Sequence, residues 1–298
     1  MPIEFPPGRR NAVCFSFDFD GLSLWFGTFN DFSSHAIGRG EYSGRVAAER
    51  VLDFLDQRQM RCTWFVPGHT AETWPAVTRE VARRGHEIAH HGYCHEDPTG
   101  FSEAEERRLL VRGIEALGTV TGQKPVGYRS PAWNTSDHTV QLLVEHGFEY
   151  AGNGMADDYR PYRARVGDIA SPTRPFAYGT EVDLVEIPSA WFLSDLVLLE
   201  PVYQYPNRVS PSPGEIERIW IDEFDYMCEH APGGVLTFAF HPEGIARGHR
   251  LKMLDRVVDH MHQRGDVWFC TMLEIARAWS PDPPGLWADD ATTASSDA

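Results

Sequence analysis

An apolar run that ends in two acids lies at residues 11–21 (NAVCFSFDFDG). Its aromatic and β-branched residues, followed by a glycine, are typical of a buried strand that stops at a turn. Similar short runs recur along the 298 residues and alternate with segments of helical period. This alternation predicts an α/β protein with a largely parallel sheet. The strands that we expect cover residues 11–18, 61–67, 86–91, 126–130, 148–151, 182–188, 234–241 and 267–270.

Amphipathic helices are predicted between these strands, because apolar residues recur there at helical spacing. The start of one is marked by a capping-box pattern, Ser102 with Glu105. The apolar stripes consist of Ala48, Leu52 and Leu55; of Leu110, Ile114 and Leu117; of Ile216, Trp220, Phe224 and Met227; and of Leu251, Leu254, Val258 and Met261.

The domain organisation follows from what separates these elements. No internal linker rich in proline, glycine or serine interrupts them, so we expect a single domain over residues 1–286. A single barrel is favoured, and an open doubly wound sheet is the alternative. Residues 21–44 and 152–180 are predicted to be long loops, which in compact domains are usually functional. The polar residues 287–298 are expected to be a disordered tail.

Charge and cysteine content exclude several classes of function. The chain has 27 Lys and Arg against 43 Asp and Glu, a net charge of −16, which argues against nucleic-acid and membrane-surface partners. Five cysteines without CxxC spacing indicate neither a disulfide framework nor a cysteine zinc knuckle. The first residues lack a signal-peptide pattern, and no later stretch is apolar enough to span a membrane. We therefore expect a cytoplasmic protein.

Polar side chains collect at the carboxyl ends of four predicted strands, where parallel α/β folds place their active sites. Any one of these residues alone is as well explained by a turn, a helix cap or a buried structural histidine. Their occurrence together at one edge favours a functional site. The residues are Asp18 and Asp20 after the first strand, the 90–95 segment (HHGYCH) after the third, Arg129 after the fourth and His241 after the seventh.

This set of side chains is sufficient for hydrolysis. One carboxylate and two neutral imidazoles can bind a zinc-like ion and leave coordination positions open for water. A second carboxylate nearby can take the proton of that water, and a further histidine can protonate a departing nitrogen.

Several ordered motifs resemble those of the polysaccharide deacetylase family, also called the NodB-homology family or carbohydrate esterase family 4. The motifs are residues 16–21 (SFDFDG), 91–95 (HGYCH), 129–133 (RSPAW) and 238–242 (FAFHP). The resemblance implies that Asp18 is the catalytic base and that Asp20, His91 and His95 bind a divalent metal, usually Zn2+. It also implies that His241 is the general acid.

The same resemblance assigns supporting roles. Arg129 would orient the base, and a backbone amide near Ala132 would bind the oxyanion. The family's fourth motif is matched least well, and Asp158 is the candidate for the acid that tunes the catalytic histidine. Trp133 and Trp191 neighbour the motifs and are candidates to line the substrate pocket.

Further segments resemble an intracellular branch of this family, which contains peptidoglycan-deacetylase-like proteins, cyclic imide hydrolases and allantoinases. These segments are residues 65–69 (FVPGH), 89–96 (AHHGYCHE), 186–191 (EIPSAW) and 241–244 (HPEG). The branch implies a distorted (β/α) barrel and a homotetramer.

The function that we expect is metal-dependent hydrolysis of a non-peptide C–N bond in a small cyclic imide or cyclic amide. The missing signal peptide favours a small substrate over an extracellular glycan. N-deacetylation of a peptidoglycan or chitin-type saccharide is the first alternative, and allantoin hydrolysis is the second. A carbohydrate-binding barrel without catalysis is a further alternative, although the complete set of motif residues argues against it.

Overall fold

Nine strands form one sheet in the computed structural model, which describes residues 3–200 and 210–281. All eight predicted strands are present, most of them shorter than expected. The strands are β1 Asn11–Asp18, β2 Thr63–Val66, β3 Glu87–His90, β4 Gly127–Tyr128, β5 Tyr150–Ala151, β6 Tyr162–Val166, β7 Thr180–Glu186, β8 Val235–Phe240 and β9 Val267–Phe269.

The strand order is β6-β7-β5-β4-β3-β2-β1-β8, with β9 beside the first half of β1. Every pairing is parallel except that of β6 with β7. In residues 3–200 and 210–281 no ladder joins β6 to β8, so the curved sheet is a half-barrel. This agrees with the expected distorted (β/α) barrel.

Both stretches that we predicted to be loops contain regular structure. Residues 21–44 include a π-helix, Leu24–Thr28, and a complete α-helix, Ser34–Tyr42. Residues 152–180 include β6, whose sequence YRARV alternates polar and apolar residues as expected for a half-exposed edge strand. The predicted tail, residues 287–298, and residues 282–286 of the predicted domain lie outside the described residues.

The helices connect successive strands and cover the sheet. The four predicted apolar stripes lie on the second, fifth, eighth and tenth helices, and Ser102 and Glu105 form the expected capping box. None of the helices in the described residues is long and apolar enough to cross a membrane. They are α1 Ser34–Tyr42, α2 Ala48–Gln57, α3 Gly68–Thr73, α4 Pro75–Arg83, α5 Glu103–Thr121, α6 Thr139–Glu145, α7 Asp195–Leu199, α8 Pro213–His230, α9 Pro242–Ile245, α10 Gly248–Gln263 and α11 Met272–Ala278.

An aromatic core holds β1 against its neighbours. Phe17 stacks on Trp64 of β2 with ring centroids 5.0 Å apart, and Phe15 meets Phe238 of β8 edge to face at 5.1 Å. Trp220 of α8 packs on Phe238 from outside the sheet. All five side chains are buried, and such burial contributes roughly 1.5–3 kcal/mol for each large apolar side chain. This core fixes β1, which leads into the acid pair.

Register brings the predicted site residues to one edge of the sheet. Asp18 pairs with a residue of β2, and Phe17 pairs with Phe240, the last residue of β8. His90 pairs with Tyr128 at the ends of β3 and β4. The residues that follow these strand ends therefore meet in space, as parallel pairing requires.

Candidate metal centre and catalytic site

Asp20, His91 and His95 form a compact cluster that could hold a metal ion. Their ligand atoms lie within 4.8 Å of one another, and all three side chains are buried. His91 Nε2 is 3.4 Å from Asp20 Oδ1, and His95 Nε2 is 3.5 Å from Asp20 Oδ2. Among the residues that the structure describes, this is the one cluster of its kind.

The protonation chemistry of the cluster fits a divalent cation. Neither carboxylate oxygen of Asp20 has a hydrogen-bond partner among the described residues, although both are buried. Burial lowers the pKa of His91 to about 4 and lowers that of His95 well below its usual range, so both imidazoles are neutral near pH 7. His91 Nδ1 lies 2.8 Å from the Arg129 carbonyl oxygen and donates to it, which leaves Nε2 free as a ligand.

The neighbouring His90 lies outside this cluster. Its Nε2 is 3.1 Å from the carbonyl oxygen of Leu110 in α5, on the other side of the strand. Alternation of side chains along β3 therefore sends His91, and not His90, into the site.

Asp18 is held by a buried guanidinium. Arg129 Nη1 donates to Asp18 Oδ1 at 2.6 Å, and the guanidinium carbon lies 4.1 Å from the ring centroid of Phe65. Burial alone would raise the pKa of Asp18, but the charge of Arg129, with smaller contributions from His91 and His241, lowers it below its usual value. Asp18 is therefore a carboxylate at neutral pH, and its Oδ2 lies 3.8 Å from His241 Nε2.

His241 is paired with Asp195, not with the predicted Asp158. Asp195 Oδ1 lies 2.8 Å from His241 Nδ1, and the carboxylate also accepts a hydrogen bond from the His241 backbone amide. Asp158 is exposed, on the turn before the buried Tyr159. The prediction that Asp158 tunes His241 is thus wrong, because the buried partner comes from α7.

A small cavity of about 130 Å³ opens beside these groups. Trp133 and Trp191 form part of its wall, with ring centroids 4.5 Å apart in an edge-to-face arrangement. Trp191 is 46% exposed and therefore lies at the mouth. The cavity is lined by Asp18, Leu24, Thr28, Phe29, His91, His95, Arg129, Ser130, Ala132, Trp133, Trp191, Ser194, Leu196, Val197 and His241.

The turn after Arg129 has an unusual backbone. Ala132 and Trp133 both have positive φ, 53° and 57°, which non-glycine residues seldom adopt. Hydrogen bonds within the turn use the amides of Trp133 and Asn134. Pro131 has no amide hydrogen, so the Ala132 amide is the one between Pro131 and Asn134 that these bonds leave for a ligand.

The 186–191 segment is linked to this turn by hydrogen bonds through residues 152–154. The Glu186 carboxylate accepts a hydrogen bond from the Gly154 amide at 2.6 Å. The side-chain oxygen of Asn153 accepts one from the Ser130 amide at 2.7 Å. Ser189 donates to the carbonyl oxygen of Gly152 at 3.0 Å. These bonds fix residues 152–154, and Asn153 in turn positions Ser130 and the residues after it.

Sequence reasoning missed Asp195 and most of the apolar wall. The only signal for Asp195 was a single acid at the head of an apolar run, residues 195–199 (DLVLL), shortly after a motif segment. Leu24, Thr28 and Phe29 lie in a stretch that we had predicted to be a loop. The predicted Ala132, Trp133 and Trp191 are all found at the cavity.

Comparisons with known proteins agree with this geometry. The polysaccharide deacetylase family model matches residues 24–151. A peptidoglycan deacetylase of Helicobacter pylori is 34% identical over 280 residues, which are 90% of this chain and 96% of that protein.

Solved structures extend the comparison. A Mycobacterium smegmatis crystal structure described as a polysaccharide deacetylase is 35% identical, has a TM-score of 0.82 and covers 96% of this chain and 98% of its own. The crystal structure of PuuE allantoinase, with 23% identity, a TM-score of 0.76 and 92% coverage of each chain, shares the fold. By these similarities, as its motifs predicted, the chain is a hydrolase of the polysaccharide deacetylase family that acts on C–N bonds.

Proposed function

We propose that this protein hydrolyses the C–N bond of a small cyclic imide or cyclic amide with the help of a divalent cation. One observation supports this most strongly. A candidate base, a candidate acid and a candidate cation-binding cluster converge on a single small cavity whose remaining wall is mostly apolar.

The cation would be held by Asp20, His91 and His95, whose buried and unpartnered oxygens and neutral imidazoles suit Zn2+. Bound there, it supplies Lewis acidity, which polarises a carbonyl and makes water easier to deprotonate.

The protein's own groups carry the proton transfers. Asp18, kept ionised by Arg129, accepts a proton from the water that attacks the carbonyl carbon. The carbonyl oxygen becomes negative and accepts a hydrogen bond from the Ala132 amide. His241, whose Nδ1 is bonded to Asp195, donates its Nε2 proton to the nitrogen as the C–N bond breaks. A cyclic imide would yield an open-chain amide with a new carboxyl group.

The cavity favours a small, flat ring over a sugar chain. Its volume is well below the roughly 300–1,000 Å³ of typical ligand pockets. Leu24, Phe29, Leu196 and Val197 offer no hydrogen bonds to sugar hydroxyls, and leaving such hydroxyls unpaired is unfavourable.

N-deacetylation of a saccharide is a second candidate, and it has a specific observation in its favour. The 34% identical Helicobacter pylori relative is a peptidoglycan deacetylase. The same residues would act on an acetamide, with the sugar outside the cavity at the Trp191 mouth. Zn2+ as the ion, a cytoplasmic location and a homotetramer stay predictions.

The test is a parallel assay of zinc-loaded protein with succinimide, phthalimide, hydantoin, allantoin and N-acetylated chitooligosaccharides. Ring opening of an imide without acetate release from the oligosaccharides supports the proposal. Acetate release alone supports deacetylation instead, and turnover of allantoin alone supports the ureide alternative. If zinc is bound and no compound is hydrolysed, the catalytic proposal fails.

A further inference from the structure

His95 is held by a side chain from the π-helix that follows the acid pair. Thr28 Oγ1 lies 2.6 Å from His95 Nδ1 and 2.8 Å from the His95 carbonyl oxygen. A hydroxyl has one proton, and a carbonyl oxygen can only accept. Thr28 therefore donates to the carbonyl and accepts from Nδ1–H. This arrangement leaves the lone pair of His95 on Nε2, the nitrogen that faces Asp20.

The backbone around His95 depends on the same helix. His95 has a φ of 58°, an uncommon conformation for a non-glycine residue that persists only where the surroundings enforce it. A Cβ at Gly27, beside Thr28, would lie 1.6 Å from the Cys94 carbonyl oxygen. The π-helix thus packs directly on the peptide bond that precedes His95.

The two histidines of the cluster are oriented in different ways. His91 donates its Nδ1 proton to a backbone carbonyl, that of Arg129, which no side-chain substitution removes. His95 depends instead on the hydroxyl of Thr28.

We propose that Thr28 is a positioning residue of the cation site, which fixes both the tautomer and the backbone of His95. This inference rests on the cation binding in the proposed function and adds to it a residue that no motif contains. Groups that orient a metal-binding imidazole typically contribute 10–100-fold to metal affinity.

The test compares Thr28→Val, Thr28→Ala and Thr28→Ser with the wild-type protein. Zinc affinity is measured by competition with a chelating dye, and the coordination environment by the visible spectrum of the Co2+-loaded protein. We expect Thr28→Val and Thr28→Ala to bind zinc about 10–100-fold more weakly, with altered cobalt spectra. Thr28→Ser keeps the hydroxyl and should stay within about threefold of wild type. Thr73→Val is the matched control. Thr73 is exposed, and its hydroxyl donates a hydrogen bond to the His69 carbonyl oxygen within the same helix.

The outcomes separate this inference from the proposed function. If the folded Thr28→Val and Thr28→Ala variants bind zinc as tightly as wild type while His95→Ala does not, the role of Thr28 is refuted and the cation site stands. If Thr28→Ser loses as much affinity as Thr28→Val, the hydroxyl is not responsible and the inference is again refuted. If the wild-type protein binds no divalent cation, the cation-dependent function fails together with it.

Discussion

Replacing Asp195 by asparagine should lower the pKa of His241 by several units. Burial alone would lower this pKa, but the hydrogen bond and charge of Asp195, together with the charges of Asp20 and Asp18, raise it to about 10. Asparagine keeps the shape of the side chain and removes its charge. The imidazolium then loses its nearest counter-charge, and its proton leaves at lower pH.

The size of the shift follows from the 2.8 Å between His241 Nδ1 and Asp195 Oδ1. At an effective dielectric constant of about 20, two unit charges at that distance attract by about 6 kcal/mol, or about four pKa units. This is an upper limit, because the amide oxygen can still accept the hydrogen bond. We expect a fall of about two to four units, to a pKa of about 6 to 8.

The assay is a histidine NMR titration of the metal-free protein, with the His241 signal assigned by its loss in His241→Gln. Asp158→Asn is the matched control and should leave the titration unchanged, since Asp158 is exposed on another turn. A general acid works only when it is protonated. The alkaline limb of the pH profile of kcat/KM should therefore also shift to lower pH in Asp195→Asn. If His241 titrates within about half a unit of wild type in Asp195→Asn, the assignment of Asp195 is refuted.

Three further variants or treatments give separate tests. Asp18→Asn should reduce turnover by at least about 10²-fold while zinc affinity changes little, because a base is lost and no ligand is; isothermal titration and rate assays check this, and retained activity would remove Asp18 from the base role. Adding zinc at about 100 times its Kd should stabilise the chelated protein by about 2.7 kcal/mol; calorimetry should show a Tm increase, and an unchanged Tm would argue against a site in the native state. Asn153→Ala leaves the Ser130 amide without its acceptor, which should cost about 1–3 kcal/mol of unfolding free energy and lower kcat more than it raises KM; denaturant unfolding and kinetics check both, and a fall in stability without a change in kcat would make Asn153 merely structural.

Local patterns were enough to predict the elements that form the interior. The strands that end in Asp18 and Phe240 are fully buried, so each reads as a continuous apolar run followed by polar residues. Parallel pairing then places the ends together without further information. The edge strand β6 was missed because its exposed face carries arginines, and such a strand resembles a loop in sequence.

Contacts between distant parts of the chain could not be predicted in the same way. Asp195 and His241 are 46 residues apart, and a parallel bridge between Ser194 and Ala239 brings them together. Thr28 reaches His95 across 67 residues through a π-helix, for which the sequence has no periodic signal. Both partners contact a site residue without belonging to a local motif, so only the three-dimensional structure identifies them.

The position of β1 between β2 and β8 has a consequence for biosynthesis. Phe15 pairs with Phe238 of β8, more than 200 residues later in the chain. At roughly 5–20 residues per second, a ribosome needs on the order of 10–40 seconds to add the missing partner. During that interval the apolar residues 11–17 form a strand with an open edge, which invites association with other nascent chains. Strand β8 therefore joins the sheet late in translation, and the yield of native protein should depend on chaperones and on slow expression at low temperature.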